Sequence, residues 1–188
     1  MGKQTTTKKK LVEAARDLFW TRGYSNVSVR DIAGAAGADP ALVSRYFGGK
    51  RALFEATLAD IGPWDALSAK RDDLLHAAVA SFSHPFDPQK DQANPFTMLV
   101  TNVIDPEIGN DIRDLVQTGL ADPLAERLGG ADAEDQAAML LAVLFGVALM
   151  RKNFQLPALS GAASEDITAM TTCLAEAALR FGDASETA

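Results

Sequence analysis

Apolar residues along this chain recur at three- and four-residue intervals, the period of a helix that hides one face. Leu11, Ala14, Ala15, Leu18 and Phe19 form the first such stripe. It runs from a cap at Thr7 to Arg22-Gly23, with Gly23 suited to the position just past a helix end. Ser28 and Asp39 read as caps of a second and a third helix, and Gly48-Gly49 closes the third. Lys50 opens a fourth, with Leu53, Phe54, Thr57, Leu58 and Ile61 on one side, and Gly62-Pro63 breaks it. That break is the expected domain boundary, dividing residues 1–62 from 63–188. Beyond it the period persists through Trp64–Phe82, a polar loop Ser83–Ala93, and a short helix from Asn94-Pro95 to Ile104. Asp105-Pro106-Glu107 opens a longer helix toward Leu128, and Gly129-Gly130 turns the chain. The longest helix is expected from Asp132 to Leu156, followed by a linker Pro157–Ala163 and a last helix from Ser164 to Phe181. No segment alternates as a strand does, so the pattern predicts an all-α fold of about nine helices. The tail Asp183–Ala188 is expected to fray.

Residues 27–50 carry the most detailed pattern. Two short helices crossing steeply need a tiny residue at the crossing, which Ala33 supplies. They also need a turn residue that tolerates positive φ, which Gly37 supplies. Ile32, Ala36, Ala38 and Val43 then fall on the facing sides as buried positions. Asp39-Pro40 is a cap followed by a proline whose missing N–H costs nothing at the first helical position. Pro40, Ala41, Ser44 and Arg45 are left outward. Small and basic residues there let a helix enter a major groove and reach phosphates and base edges, so the segment predicts a DNA-binding helix-turn-helix.

The two long C-terminal helices raise a different question. Between Ala137 and Met150 the residues are apolar almost all round. The last helix offers Ile167, Met170, Leu174, Ala177, Ala178 and Phe181 as one stripe, and Ala169, Thr172, Cys173 and Glu176 as a second, small-residue face. A domain of this size cannot cover all of that surface itself. A homodimer through the last two helices, four helices about a two-fold axis, is therefore predicted.

Composition changes the picture in three places. The net charge of −7 divides unevenly: residues 1–60 hold ten Lys/Arg against six acids, and the remainder eight against nineteen. A basic head and an acidic body are compatible with a nucleic-acid partner and orient the head toward it. The lysine run Lys8-Lys9-Lys10 reads either as a mobile basic arm against DNA or as a solvated helix start. The single cysteine, Cys173, excludes an internal disulfide and fits a reducing cytoplasm, and its apolar neighbourhood predicts a buried structural thiol. The N-terminal lysines lead into an amphipathic segment rather than an apolar core, so no secretory signal is expected. The apolar run Ala137–Met150 is too short to span a bilayer, so no membrane partner is expected.

Catalytic chemistry finds little support. His76 and His84 lie eight apart, a poor metal spacing, and Cys173 is remote from both. No phosphate-cradling glycine loop or nucleophile elbow is present, and Asp72-Asp73 reads as a solvent face. No enzyme activity, metal or cofactor is expected.

The first third of the chain resembles the TetR-type (TetR/AcrR) one-component transcriptional regulators. The residues that carry the likeness are Arg22-Gly23-Tyr24, Ser28-Val29-Arg30-Asp31-Ile32-Ala33, Ala36-Gly37, Tyr46-Phe47-Gly48-Gly49-Lys50 and Leu53-Phe54. The resemblance implies a three-helix DNA-binding domain, a connecting helix and a helical domain that dimerises and holds a small ligand. It implies that Ser28 meets a phosphate through its hydroxyl or its helix N-terminus, beside Val29, and that Arg30 reaches a base edge. Pro40 and Ala41 would touch bases, Tyr46 would lean on the backbone with its ring packed inward, and Lys50 would hold a phosphate. Phe47 and Phe54 would be core. Ser44 departs from the pattern, standing where many members carry Tyr, and Arg45 is the residue that compensates in charge.

The resemblance further implies an effector cavity among helices between about residues 64 and 156. Phe82, Phe96, Met98, Leu99, Leu115, Met139, Phe145 and Met150 are its candidate lining, with Asn102, Arg113 and Asn153 as polar handles. Such a lining suits a mostly apolar effector. The reading is a repressor released from a pseudo-palindromic operator by a small molecule. A constitutive dimeric DNA-binding protein and a helical protein-interaction domain remain open beside it.

Overall fold

Gly and Pro are absent between Lys3 and Arg22, and the first helix of the computed structural model uses that whole stretch: α1 spans Gly2–Arg22. The structure describes residues 2–59, 75–80, 93–161 and 164–180, and every regular element among them is helical. The chain folds as two compact units, residues 1–62 with 87–113, and residues 63–86 with 114–188. The expected cut at residue 62 follows chain order, whereas this division by proximity groups 87–113 with the N-terminal helices. Of its described residues, the helix Pro95–Asn102 packs on α1.

In the first unit α1 is followed by α2 (Val29–Ala36), α3 (Ala41–Phe47), α4 (Lys50–Leu58) and α5 (Pro95–Asn102). Leu11, Ala15 and Phe19 of α1 are fully buried with Ile32, Ala33, Val43 and Leu53. Phe19, Tyr24 and Phe54 form an aromatic triangle with centroids 5.4 to 5.5 Å apart, one pair stacked and two edge-on. Such pairs add about 0.5–1.5 kcal/mol each beyond their buried area. The buried Trp20 indole donates to Thr57 Oγ1 at 3.1 Å, so its polar edge is satisfied.

α5 lies on the flank of α1, started by Asn94, whose side chain accepts the Thr97 N–H at 2.9 Å. Phe96, Met98 and Leu99 are buried there. At its end the buried Asn102 accepts the Tyr24 N–H at 2.8 Å and donates to Phe19 O at 3.1 Å and Met98 O at 2.9 Å. Asp105 follows, accepting from Ser25 N–H at 2.9 Å with one oxygen and from Glu107 and Ile108 N–H with the other. The helix expected from Asp105 begins later, as α6 (Gly109–Val116).

Three local expectations need correction in this unit. α1 starts at Gly2 rather than Thr7, since no proline or glycine interrupts Lys3–Arg22 and the three threonines are carried within the helix. Lys8, Lys9 and Lys10 are therefore helical, not an arm. Ala36 and Ala38 are half-buried rather than buried, as is Phe47, which lies at the edge of the core.

In the second unit the run from α6 continues through a π-helical turn, Gln117–Ala121, into α7 (Asp122–Leu128). α8 (Ala133–Ala148) ends in a second π-helical turn, Leu149–Asn153. A single helical turn α9 (Pro157–Ser160) occupies the expected linker, and α10 (Ser164–Leu179) closes the described part. Residues 75–80 are helical, with Ala78 and Val79 buried. The rest of the expected Trp64–Phe82 helix, the loop after it and the tail lie outside the described residues. α8 buries Ala137, Leu140, Leu141, Leu144 and Ala148, and α10 buries Ile167, Thr171, Ala175 and Ala178. Gln136 Nε2 donates to Leu179 O at 2.9 Å and pins the two helices together.

That packing phase divides the expected stripe of the last helix. Met170 and Leu174 are about half exposed, at 50% and 53%, and Ala177 is exposed too. Cys173 shares their side of the helix and is exposed, not buried as expected. The α8 helix also exceeds its apolar run: with the π-helical turn it covers 21 residues, Ala133–Asn153, at mean hydropathy 1.6. By length and composition alone it could cross a bilayer, contrary to the expectation. Its buried side, however, is packed against α7 and α10 of its own chain.

Candidate nucleic-acid interface

Ser28 starts α2 with a reciprocal capping box. Its hydroxyl accepts the Asp31 N–H at 3.2 Å, while its own N–H donates to Asp31 Oδ2 at 2.8 Å. The hydroxyl also donates to that carboxylate at 2.6 Å. These hydrogen bonds hold the Asp31 carboxyl below its ordinary range. With the hydroxyl thus engaged, the N–H groups of Val29 and Arg30 are what the first turn of α2 offers an anion. The Val29 side chain is half-buried, and that of Arg30 is exposed.

Gly37 sits at φ 62° and Ala38 N–H closes back on Ala33 O at 2.9 Å, a Schellman end to α2. α3 then begins one residue later than expected, at Ala41, with Pro40 at its cap. Asp39 still caps it, accepting the Ala41 N–H at 2.8 Å. Ala41, Ser44 and Arg45 stand at i, i+3 and i+4 on one exposed face, with Pro40 exposed beside them. Val43 on the opposite side is fully buried. Tyr46 is half-buried and meets the Phe47 ring edge-on at 6.5 Å. α3 ends where Gly48 takes φ 87°, a conformation costly for other residues, and Gly49 leads into Lys50.

Lys50 is half-buried, its ammonium 4.1 Å from the Tyr24 ring centroid. Burial, with the nearby Glu107 carboxylate, pushes the Tyr24 hydroxyl above its ordinary range, so that ring stays neutral. At the C-terminal end of α3, the Lys8 ammonium lies 5.3 Å from the Phe47 ring. Arg51 is engaged elsewhere, with Asp111 at 2.5 Å and Glu55 at 3.5 Å.

The family profile of bacterial regulatory proteins of the tetR family matches residues 11–57, and a tetracyclin repressor-like C-terminal domain matches residues 72–179. The chain belongs to the tetR family of bacterial regulatory proteins. Among curated relatives, the HTH-type transcriptional regulator BetI of Brucella abortus is 40% identical over 85 residues, covering 43% of either chain. BetI of Rhizobium meliloti is 35% identical over 81 residues, covering 43% of this chain and 37% of its own. The chain thus spans less than half the length of the curated relatives it matches.

Solved structures extend the fold likeness over nearly the whole chain. SCO4454, a TetR-family regulator of Streptomyces coelicolor, superposes with a TM-score of 0.63 at 18% identity over 94% of this chain and 95% of its own. The TetR family regulator CifR, as a cysteine variant with 26-base-pair operator DNA, gives 0.60 at 21% identity over 92% and 95%.

The candidate effector residues of this TetR-family chain fare differently from the α3 face. Phe96, Met98, Asn102 and Arg113 fall in the first unit, and Met139, Phe145, Met150 and Asn153 in the second. Asn102 is consumed by its three bonds to the backbone, so it is a brace rather than a handle. Arg113 is exposed and bonded to Asn110, Met139 and Asn153 are exposed, and Leu115, Phe145 and Met150 are half-buried. Phe82 lies outside the described residues. Sequence reading missed the buried Arg151, whose Nε donates to Leu159 O at 3.2 Å. It also missed the open groove of about 400 Å³ between α1 and α2, lined by Lys10, Glu13, Ala14, Asp17, Leu18, Ala35 and Ala36.

Proposed function

We propose that this regulatory protein acts in the cytoplasm as a homodimeric, DNA-binding transcriptional repressor, freed from a pseudo-palindromic operator by a small-molecule effector. The observation that carries the reading is the α3 face: Ala41, Ser44 and Arg45 outward, Val43 buried behind them. Small residues let that helix approach a major groove closely, and Arg45 supplies a cation with a bidentate fork for guanine or phosphate. Ser28, Val29, Arg30, Pro40, Tyr46 and Lys50 surround it as positioning groups. The likeness to CifR, solved on operator DNA, supports a duplex as the partner.

A dimer is supported by Met139, Met170 and Leu174, each about half exposed on α8 and α10. Two-fold pairing of these helices would cover them, and a two-fold dimer reading a pseudo-palindrome needs its α3 helices about 34 Å apart, one turn of duplex. Release by an effector works through α5 and the turn after it. Asn102 and Asp105 grip the α1–α2 loop, so a displacement of that segment reaches the DNA-reading head. A full switch requires about 5.5 kcal/mol of differential affinity.

The saturation of Asn102 favours a second reading, a constitutive dimer without effector. Duplexes selected from a randomised pool by the full chain test the main proposal. Arg45→Ala should weaken binding to them by about 1–3 kcal/mol, with circular dichroism and sedimentation unchanged. A pool that never enriches, or an Arg45→Ala protein that binds as tightly, rejects it. A compound that both raises the melting temperature and releases the duplex separates ligand release from the constitutive reading.

A further inference from the structure

The lysine run at the start of α1 is not one patch. Successive helical residues turn by about 100°, so three consecutive lysines spread across most of the helix circumference. Their surroundings differ accordingly. Lys9 pairs with Glu13 at 3.7 Å. Lys10 lines the groove that also holds Glu13 and Asp17. Lys8 alone of the three is directed at α3, its ammonium over the ring of Phe47, the last residue of that helix.

Phe47 follows the buried Val43 by four positions and the exposed Ser44 by three, so its half-buried ring stands at the border between the core and the exposed α3 face. Lys8 itself is exposed. An ammonium resting on a ring face keeps its N–H donors available to a second partner while the ring restricts where it points. Thr5, also exposed, stands one turn before Lys8 on the same side of α1. The family match starts at Leu11, so these turns belong to the part of the chain it leaves uncovered.

We propose that Lys8 is a phosphate-binding residue of the operator interface, held in register with α3 by Phe47, so that the first turns of α1 act as a rigid clamp on the duplex backbone. The inference rests on the DNA-binding reading above. It assigns the phosphate to one lysine rather than to the charge of the run as a whole.

The test is the salt dependence of binding by the full chain to a duplex selected from a randomised pool. Each phosphate left without its cation should make the slope of log K against log salt shallower by about 0.9. Lys8→Gln should therefore reduce the slope by about 1.8 in a two-fold complex, and Lys9→Gln should leave it nearly unchanged. Phe47→Leu keeps an apolar residue but removes the ring. In that background Lys8→Gln should cost less than in wild type, by a double-mutant cycle.

A Lys8→Gln slope equal to wild type overturns the proposal. An equal effect from Lys9→Gln overturns it too, since diffuse charge would then suffice. Full additivity with Phe47→Leu removes the positioning role of the ring. Failure of the wild-type chain to select any duplex rejects the DNA-binding reading first, and this one with it.

Discussion

Asn102 accepts the Tyr24 N–H at 2.8 Å across 78 residues of sequence, and the same side chain donates to Phe19 O at 3.1 Å. One buried amide therefore supplies an acceptor to Tyr24 and a second donor to Phe19 O, which also accepts the Gly23 N–H at 3.1 Å, where α1 ends. No charged or purely apolar side chain of that size can do both.

Asn102→Ala should destabilise the protein by about 2–3 kcal/mol, since it leaves the buried Tyr24 N–H without its acceptor, removes a second hydrogen bond from Phe19 O and opens a small void. Urea denaturation followed by circular dichroism reads this directly. A loss below half a kcal/mol would mean that water replaces the amide.

Asp105 makes stability depend on acidity with a definite sign. Burial raises its carboxyl, but hydrogen bonds from Ser25, Glu107 and Ile108 outweigh this and hold it below the ordinary value. Its contribution is present above the unfolded value of about 3.9 and disappears as pH falls through the lower folded value. Wild type should thus exceed Asp105→Asn in stability at neutral pH, and the gap should close in acid. A gap independent of pH between 7 and 3, in paired melting curves, contradicts this.

Gly37 tests backbone conformation without steric interference. A Cβ there would meet nothing within 4 Å, so the cost of Gly37→Ala comes from φ 62° alone. A loss of about 1–2 kcal/mol is expected, with Gly37→Asn costing less because Asn tolerates the left-handed region. Equal losses in the two variants would point to a different cause.

Leu174→Lys places a charge on the exposed side of α10 while leaving the face packed on α8 untouched. Sedimentation should show a shift toward monomer with helicity retained, and duplex binding should weaken together with it. A Leu174→Lys chain that sediments as wild type would remove α10 from the assembly interface.

The parts of the fold legible in the sequence were those written within a few residues of one another. Ser28 with Asp31, Gly37 with Ala38, and Gly48-Gly49 before Lys50 each complete their hydrogen bonds or turns locally. The exposed face of α3 followed from the same short-range pattern. What escaped was decided at long range. Asp105 read as a helix cap, and nothing near it announced that its second oxygen serves Ser25. Asn102 had the composition of a ligand handle, and its backbone partners lie on a distant helix. Cys173 sat among apolar neighbours, but burial depended on which side of α10 met α8, and Thr171 and Ala175 took that side. Lys8 drew notice as charge, while its neighbour Phe47 belongs to another helix and became visible only in the packing of α1 beside α3.

The flank of α1 under Phe96, Met98 and Leu99 bears on how this regulator can be rebuilt. A chimera that transplants only the first sixty residues onto a foreign body would strip the graft of its cover and leave the Tyr24 amide facing an oily void. Any portable version of this head has to be cut in two pieces and carry residues 93–113 along with it.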